Sequence, residues 1–333
     1  MKNKKKILVS PLDWGLGHAT RCIPVIDELI KQGIEVLVGS SGKAAELLKE
    51  VYPTLHHIEL PDYNIKYHNH IPLKISILSQ IPKLTLGIRK EQKSLQKIVN
   101  KHKINGIISD NRYGLYLKET PSVLITHQLS LYSQWFLNKN FQKLVAFFCN
   151  KHTQTWVPDI DNKISMAGKI SKTNAKINNL SYIGFLSRFK AKESSEELKY
   201  DYLILISGPE PERTTFEEKI IKKYQFLGKR IAVVSPNLEL KFNSIEIYNK
   251  LKYNELKKLI KQSKVIVSKG GYSTLMDLNV LQKAMIIYPT KGQPEQEYLA
   301  KYHSLNNQTP TRISIQNKST LKQQISNFIN ILN

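Results

Sequence analysis

The chain has 333 residues, 41% of them hydrophobic, and only two cysteines, Cys22 and Cys149. That length exceeds one ordinary domain and is enough for two with real cores, while two cysteines exclude a disulfide scaffold or a cysteine-based metal site. The 50 Lys plus Arg against 27 Asp plus Glu leave a net charge of +23, which attracts anions (nucleic acid, acidic lipid or an anionic substrate) without choosing among them.

The start is basic, but the apolar run Ile7-Leu8-Val9 is too short for a signal peptide. No segment approaches the length of a membrane span. A cytoplasmic protein is expected, or one peripheral on the inner face of the plasma membrane. Lys6 to Pro11 reads as a first strand and Leu12 to His18 as a loop carrying Gly15 and Gly17. A helix follows with Ile23, Ile26, Leu29 and Ile30 on one face, ended by Gly33. Ile34–Val38, Lys43–Val51 and Leu55–Leu60 continue as strand, helix, strand. Strands alternating with helices imply a parallel sheet.

Ile71 to Lys103 is helical by pattern, with interruptions expected at Pro82 and Gly87. From Lys66 to Lys103 basic residues surround Ile75, Ile77, Leu78, Ile81, Leu84, Leu86 and Ile88, with Glu91 as the single acid. Such a segment is either a surface helix packed on the sheet or a patch that docks on an anionic bilayer. Gly106–Ser109, Ser122–Thr126 and Thr153–Val157 are further strands, ending at Asp110, His127-Gln128 and Pro158. Asp159-Ile160-Asp161 has the look of a metal-binding acidic pair but reads more plainly as a polar turn. No His, Cys or Asp cluster has convincing metal spacing, and no metal is expected. A charged, strand-poor segment from Ser187 to Lys199 marks the boundary between domains 1–186 and 187–333.

The second half restarts with the strand Tyr202–Ile206, the turn Ser207-Gly208-Pro209-Glu210-Pro211-Glu212 and a helix from about Arg213 to Phe226. Arg230–Val234 and Ile245–Tyr248 are strands, and Tyr253–Gln262 a helix. Val265-Ile266-Val267 then runs into Ser268-Lys269-Gly270-Gly271-Tyr272-Ser273-Thr274. The paired glycines permit a tight turn, and Ser273 or Thr274 is placed to cap a helix whose inner face carries Leu275, Leu278 and Leu281. A strand, a Gly turn and a helix N-terminus together favour a phosphate. Asp277 lies one turn further on, where a carboxylate accepts ribose hydroxyls. Ala284–Tyr288 is another strand, followed after Pro289 by a polar loop, Thr290 to Glu297, that includes Gln293 and Gln296. Ligands of open α/β sheets bind at such loops, so a nucleotide-sugar is expected. Ile313–Ile315 reads as a short last strand and Thr320–Leu332 as a terminal helix.

The stretch from Ser268 to Glu297 resembles the donor-binding segment of GT-B glycosyltransferases, most closely family 28. That family carries S-G-x-x-[ST]-x-x-E before a proline run and a loop ending in a Gln pair. Gly271 and Ser273 match its start, Asp277 stands for its Glu, Pro289 for its second proline, and Gln296-Glu297 for the Gln pair. Gln282-Lys283 replaces the usual Gly-x-Pro. The resemblance implies a GT-B fold, two Rossmann-like parallel-sheet domains facing a cleft, with the last helix packing back on the first domain. It implies sugar transfer from a UDP-linked donor to a hydroxyl acceptor, lipid-linked or a cell-envelope glycan precursor, with no metal and no cofactor beyond the nucleotide-sugar. Ser207-Gly208 matches the family's second-domain Gly-Gly-Ser, and His127-Gln128 the start of its acceptor-side His-Glu motif.

Transfer needs a base for the acceptor hydroxyl, and imidazole suits that task. His18 after Gly15-Leu16-Gly17 is the candidate, with Asp110 at a later strand end to orient it and Asp13 as a rival base or loop brace. Lys269 and Arg213 are placed to neutralise the departing diphosphate. Two alternatives stand beside transfer: a nucleotide-sugar epimerase or hydrolase of the same fold, and a basic nucleic-acid-binding protein. The first lacks an identifiable extra set of carboxylates. The second lacks interleaved Arg and aromatic residues, so no nucleic-acid partner is expected.

Overall fold

The structure, a computed structural model, describes residues 4–61, 73–131, 135–190, 196–208, 210–236, 245–249, 251–305 and 320–332, with the backbone alone for 73–85, 135, 136 and 305. The chain forms two units, Met1–Leu186 with Ile315–Asn333, and Ser187–Ser314.

The first unit holds β1 (Lys6–Pro11), β2 (Glu35–Ser40), β3 (His56–Glu59), β4 (Gly106–Asp110), β5 (Ser122–Ile125), β6 (Gln154–Val157) and β7 (Leu180–Tyr182). They pair in the order β3-β2-β1-β4-β5-β6-β7, every neighbour parallel. The inner strands are buried along nearly their whole length, because helices cover both faces of such a sheet. That is why they read in the sequence as short apolar runs rather than alternating ones. Their connections include α1 (Leu16–Lys31), α2 (Gly42–Val51), α3 (Leu73–His102) and α4 (Trp135–Cys149). α1 ends on Gly33, whose φ of 77° lets its N–H reach Ile30 O at 3.0 Å while Ile34 N reaches Leu29 O at 3.1 Å. These two bonds close the helix in the Schellman manner.

The second unit holds β8 (Tyr200–Leu205), α5 (Glu212–Tyr224), β9 (Ile231–Val234), β10 (Ile245–Tyr248), α6 (Tyr253–Lys261), β11 (Ser263–Ser268), α7 (Tyr272–Val280), β12 (Ala284–Ile287) and α8 (Pro294–Leu305). Its sheet runs β10-β9-β8-β11-β12, also parallel throughout. In each unit the chain lays strands outward on one side of its first strand, then crosses and continues on the other side. The reversal falls between β1 and β4 in the first sheet and between β8 and β11 in the second.

The terminal helix α9 (Leu321–Ile331) belongs to the first unit. Thr320 caps it, its side chain accepting from Gln323 N. Phe328 is fully buried and meets Trp156 edge-on at 6.2 Å between ring centroids. A Cβ on Gly106 would stand 3.1 Å from the Phe328 ring, so the glycine allows this close approach.

Several expectations change. α3 is one continuous helix through Pro82 and Gly87. Leu86 is exposed and Ile88 buried. The remainder of the proposed basic patch, Lys66 to residue 72 and the side chains of Ile75, Ile77, Leu78, Ile81 and Leu84, lies outside the described residues, as do Pro209 and the strand expected at Ile313–Ile315. α4 has no counterpart in the sequence reading. α1 begins at Leu16, so Gly17 and His18 lie in a first helical turn and not in a loop. α8 begins at Pro294, so Gln296 and Glu297 are helical too.

Candidate active site

The two reversal points gather most of the candidate residues at the carboxyl ends of strands. At the first, Leu12 N donates to Asp110 O at 3.0 Å and ties the loop leaving β1 to the end of β4. Gly15 takes the N-cap position of α1 at φ 83°, a conformation open to glycine. The helix then presents His18 from its first turn. His18 Nδ1 lies 2.7 Å from Asp110 Oδ1, so the pairing expected from two separate strand ends is present. Gly17 O accepts from the Thr20 hydroxyl at 3.0 Å.

Arg21, absent from the sequence expectations, completes this group. Its Nε donates to Asp110 Oδ2 at 3.0 Å and its Nη2 to Oδ1 at 2.6 Å, a two-pronged grip on a fully buried carboxylate. Its Nη1 lies 2.9 Å from His127 Nδ1. Burial works to raise the Asp110 pKa, but the Arg21 guanidinium and His18 together overcome it and leave the carboxyl below its ordinary range. Burial lowers the His18 pKa; Asp110 pulls it up, Arg21 pushes it down, and the balance stays below 6.5. The imidazole is therefore neutral near neutral pH, the state a base requires.

His127, expected on the acceptor side, is buried beside Arg21, and the neighbouring Gln128 N donates to Thr126 Oγ1 at 3.3 Å. Asp13 stands apart from the imidazoles. Its Oδ1 accepts from Ala44 N at 3.0 Å, and a Cβ on Gly42 would fall 1.9 Å from its Oδ2. Asp13 thus ties the loop leaving β1 to the N-terminus of α2. Asp159, fully buried, accepts from Ile160 N, Met166 N, Ala167 N and the Ser171 hydroxyl at 2.7–3.0 Å. Asp161 pairs with Lys172 at the surface. The acidic pair holds a turn.

At the second reversal point, Ser207 and Gly208 follow β8, both exposed, Gly208 at φ 113°. Beside them Lys269 to Gly271 follow β11. Gly270 has φ 62°, and a Cβ there would lie 2.4 Å from Ile287 Cγ2. Gly271, and not Ser273 or Thr274, occupies the N-cap position of α7; those two are half-buried within its first turn. Tyr272 turns inward and is buried. Lys269 reaches between the two glycine turns. Its Nζ donates to Glu212 O at 2.9 Å and would stand 3.4 Å from a Cβ at Gly208. Burial lowers its pKa, partly countered by Glu212 and Glu210. Arg213 pairs with Glu210.

Asp277 is buried and already engaged. Ser187 Oγ donates to its Oδ1 at 2.7 Å and Arg188 Nε to its Oδ2 at 3.0 Å. Burial raises its pKa more than Arg188 and Ser187 lower it. Each oxygen keeps a second lone pair, so ribose contact would share the carboxylate with these partners. Gln296 Oε1 accepts from Thr290 N at 2.9 Å, and Glu297 Oε1 from Gly292 N at 2.8 Å. Gln293 N donates to Thr290 O at 3.1 Å. The Gln-Glu pair therefore folds back and shapes the loop after β12.

Among the described residues no group of three or more His, Cys, Asp or Glu is placed to hold a metal ion. No described helix is long and apolar enough to cross a membrane.

Residues 191–330 match the glycosyltransferase family 28 C-terminal domain. The chain is 22% identical over 324 residues to an uncharacterized glycosyltransferase of Methanosarcina acetivorans, covering 88% of this chain and 81% of that protein. Its fold matches the Streptomyces sp. SF2575 glycosyltransferase SsfS6, solved in complex with thymidine diphosphate, at TM-score 0.60 and 13% identity, with 98% and 96% of the two chains covered. It matches Acinetobacter baumannii MurG at TM-score 0.52 and 12% identity over 99% and 91%. The two parallel-sheet units and these neighbours establish the GT-B fold.

Proposed function

We propose, on the premise that the chain is a GT-B, family-28-like glycosyltransferase, that it moves a sugar from a UDP-linked donor to the hydroxyl of an acceptor. The observation that carries this reading is the 2.7 Å contact between His18 Nδ1 and Asp110 Oδ1 at the reversal point of the first sheet. With its proton on Nδ1, His18 offers a bare Nε2. That nitrogen takes the hydroxyl proton as the oxygen attacks the anomeric carbon, and Asp110 stabilises the imidazolium that forms. The donor diphosphate lies at the second sheet's reversal point, where Gly271 leaves the backbone open to close approach, Gly208 faces Lys269 Nζ, and Gly270 makes the turn against Ile287. Lys269 and the N-terminal dipole of α7 offset the charge that builds on the leaving diphosphate, the task a metal performs elsewhere. Asp277, held by Ser187 and Arg188, contacts the ribose with its remaining acceptor capacity. The thymidine diphosphate bound by SsfS6 supports a pyrimidine nucleotide and leaves the choice of base to experiment. A lipid-linked or envelope-glycan acceptor, and an anionic membrane surface near it, belong to this reading.

His18→Ala tests it. Turnover should fall by about 10²–10⁴-fold, the usual contribution of a positioned base, while calorimetric affinity for the donor nucleotide is retained. Full activity in this variant would remove His18 from the chemistry.

A further inference from the structure

Arg21 sits one turn after His18 on α1, and its planar fork spans the ends of β4 and β5. Nε and Nη2 donate to the two oxygens of Asp110, Nη1 lies 2.9 Å from His127 Nδ1, and Nη2 lies 2.7 Å from His18 Nδ1. A guanidinium only donates. His127 Nδ1 must then be bare, and a neutral His127 carries its proton on Nε2. His18 faces a choice, because its Nδ1, Asp110 Oδ1 and Arg21 Nη2 lie mutually within 2.6–2.7 Å. A bare Nδ1 would set its lone pair against an anionic oxygen. A protonated Nδ1 instead shares Oδ1 with an Nη2 whose own hydrogen already points there, so donation to Asp110 is favoured.

We propose that Arg21 is a positioning residue that fixes the tautomer of His127, with a bare Nδ1 and its proton on Nε2, opposite to the form that Asp110 imposes on His18, with its proton on Nδ1 and a bare Nε2. Resting on the proposed sugar transfer, this gives the site one imidazole set as proton acceptor by Asp110 and a second held in the opposite tautomer by Arg21 before any substrate arrives. The groups facing His18 are Asp110 from β4, Arg21 from its own helix and His127 from the end of β5. Cys22 and Tyr113, also beside Asp110 and Arg21, have their pKa values raised, foremost by burial, and stay neutral.

The test uses the full chain labelled with ¹⁵N-histidine at neutral pH, without substrate. Two-bond ¹H–¹⁵N spectra, assigned with His18→Ala and His127→Ala, report which ring nitrogen carries the proton. Opposite patterns for His18 and His127 are expected; the same tautomer in both would overturn the proposal. In Arg21→Lys the charge remains and the fork is lost, so the His127 pattern should collapse to an averaged mixture, and an unchanged pattern would deny Arg21 its role. Should that variant not fold, wild-type protein with ¹⁵N-arginine decides. A coupling across the Arg21 Nη1–His127 Nδ1 hydrogen bond is expected, and its absence in a slowly rotating guanidinium contradicts the geometry. These spectra need no sugar, so they fail or succeed independently of the turnover of His18→Ala.

Discussion

A carboxylate withdrawn completely from water keeps its charge only where partners replace the lost solvation. Asp110 has Arg21 and His18 for this. Asp159 is bonded by backbone N–H groups and a hydroxyl, and the half-buried Asp13 accepts from the N-terminus of α2. Asp13→Ala should therefore cost about 1 kcal/mol in urea unfolding, the scale of a lost helix cap, with turnover retained; a collapse of turnover at unchanged stability would return Asp13 to the chemistry. His152 presents the opposite case, a histidine held neutral by burial, its pKa pushed down to about 4 from 6.5. As pH falls, the unfolded chain takes the proton first. Stability from this group is complete above pH 6.5 and declines toward pH 4, by about 3 kcal/mol in all. His152→Leu should flatten urea stability across that window relative to wild type, and an identical pH slope in the two proteins would exclude the effect. At this scale the sequence was partly legible. His18 and Asp110 could be paired because each follows an apolar strand. Arg21 escapes the sequence reading although its signal is present, three residues after His18 on one helical face. The partners of Asp13 and Asp277 come from distant segments and leave no local trace.

Among the elements, strands were the easiest to read, since a parallel strand buried on both faces is a plain apolar run bounded by turns. α4 escapes the sequence reading although Leu137, Phe141, Val145 and Cys149 recur at every fourth position, because the exposed Leu144 and Phe147 blur that stripe. The first four residues of α8, Pro294 to Glu297, read as loop, although Pro294 at the first position is a recognised start signal. The cap of α7 went to Gly271 because Gly270 had already turned the chain, leaving Ser273 and Thr274 inside the helix. α9 was expected to return to the first unit, and the space left by Gly106 shows how it fits there. Phe328→Ala should destabilise the first unit by about 3–5 kcal/mol, the cost of deleting a buried aromatic ring. A thermal unfolding midpoint equal to wild type would mean that α9 contributes nothing to that core.

For the molecule as a whole, two sheets with the same reversal of strand order carry different chemistry at the same topological place. The first gathers titratable side chains (His18, Asp110, Arg21, His127) and the second gathers glycines, a lysine and a helix N-terminus. That division suits acid–base work in one unit and diphosphate binding in the other. The charge of +23 is compatible with an anionic substrate but does not identify it. The most direct test is thermal unfolding of the whole chain against UDP-, GDP- and dTDP-sugars, since a ligand of the native state stabilises it by about 2.7 kcal/mol at a hundredfold excess over Kd. A rise of several °C with a pyrimidine diphosphate sugar, lost in Gly271→Val, where an added Cβ meets no protein atom, and weakened in Lys269→Ala, is the predicted result. No rise with any nucleotide-sugar at millimolar concentration would contradict the account.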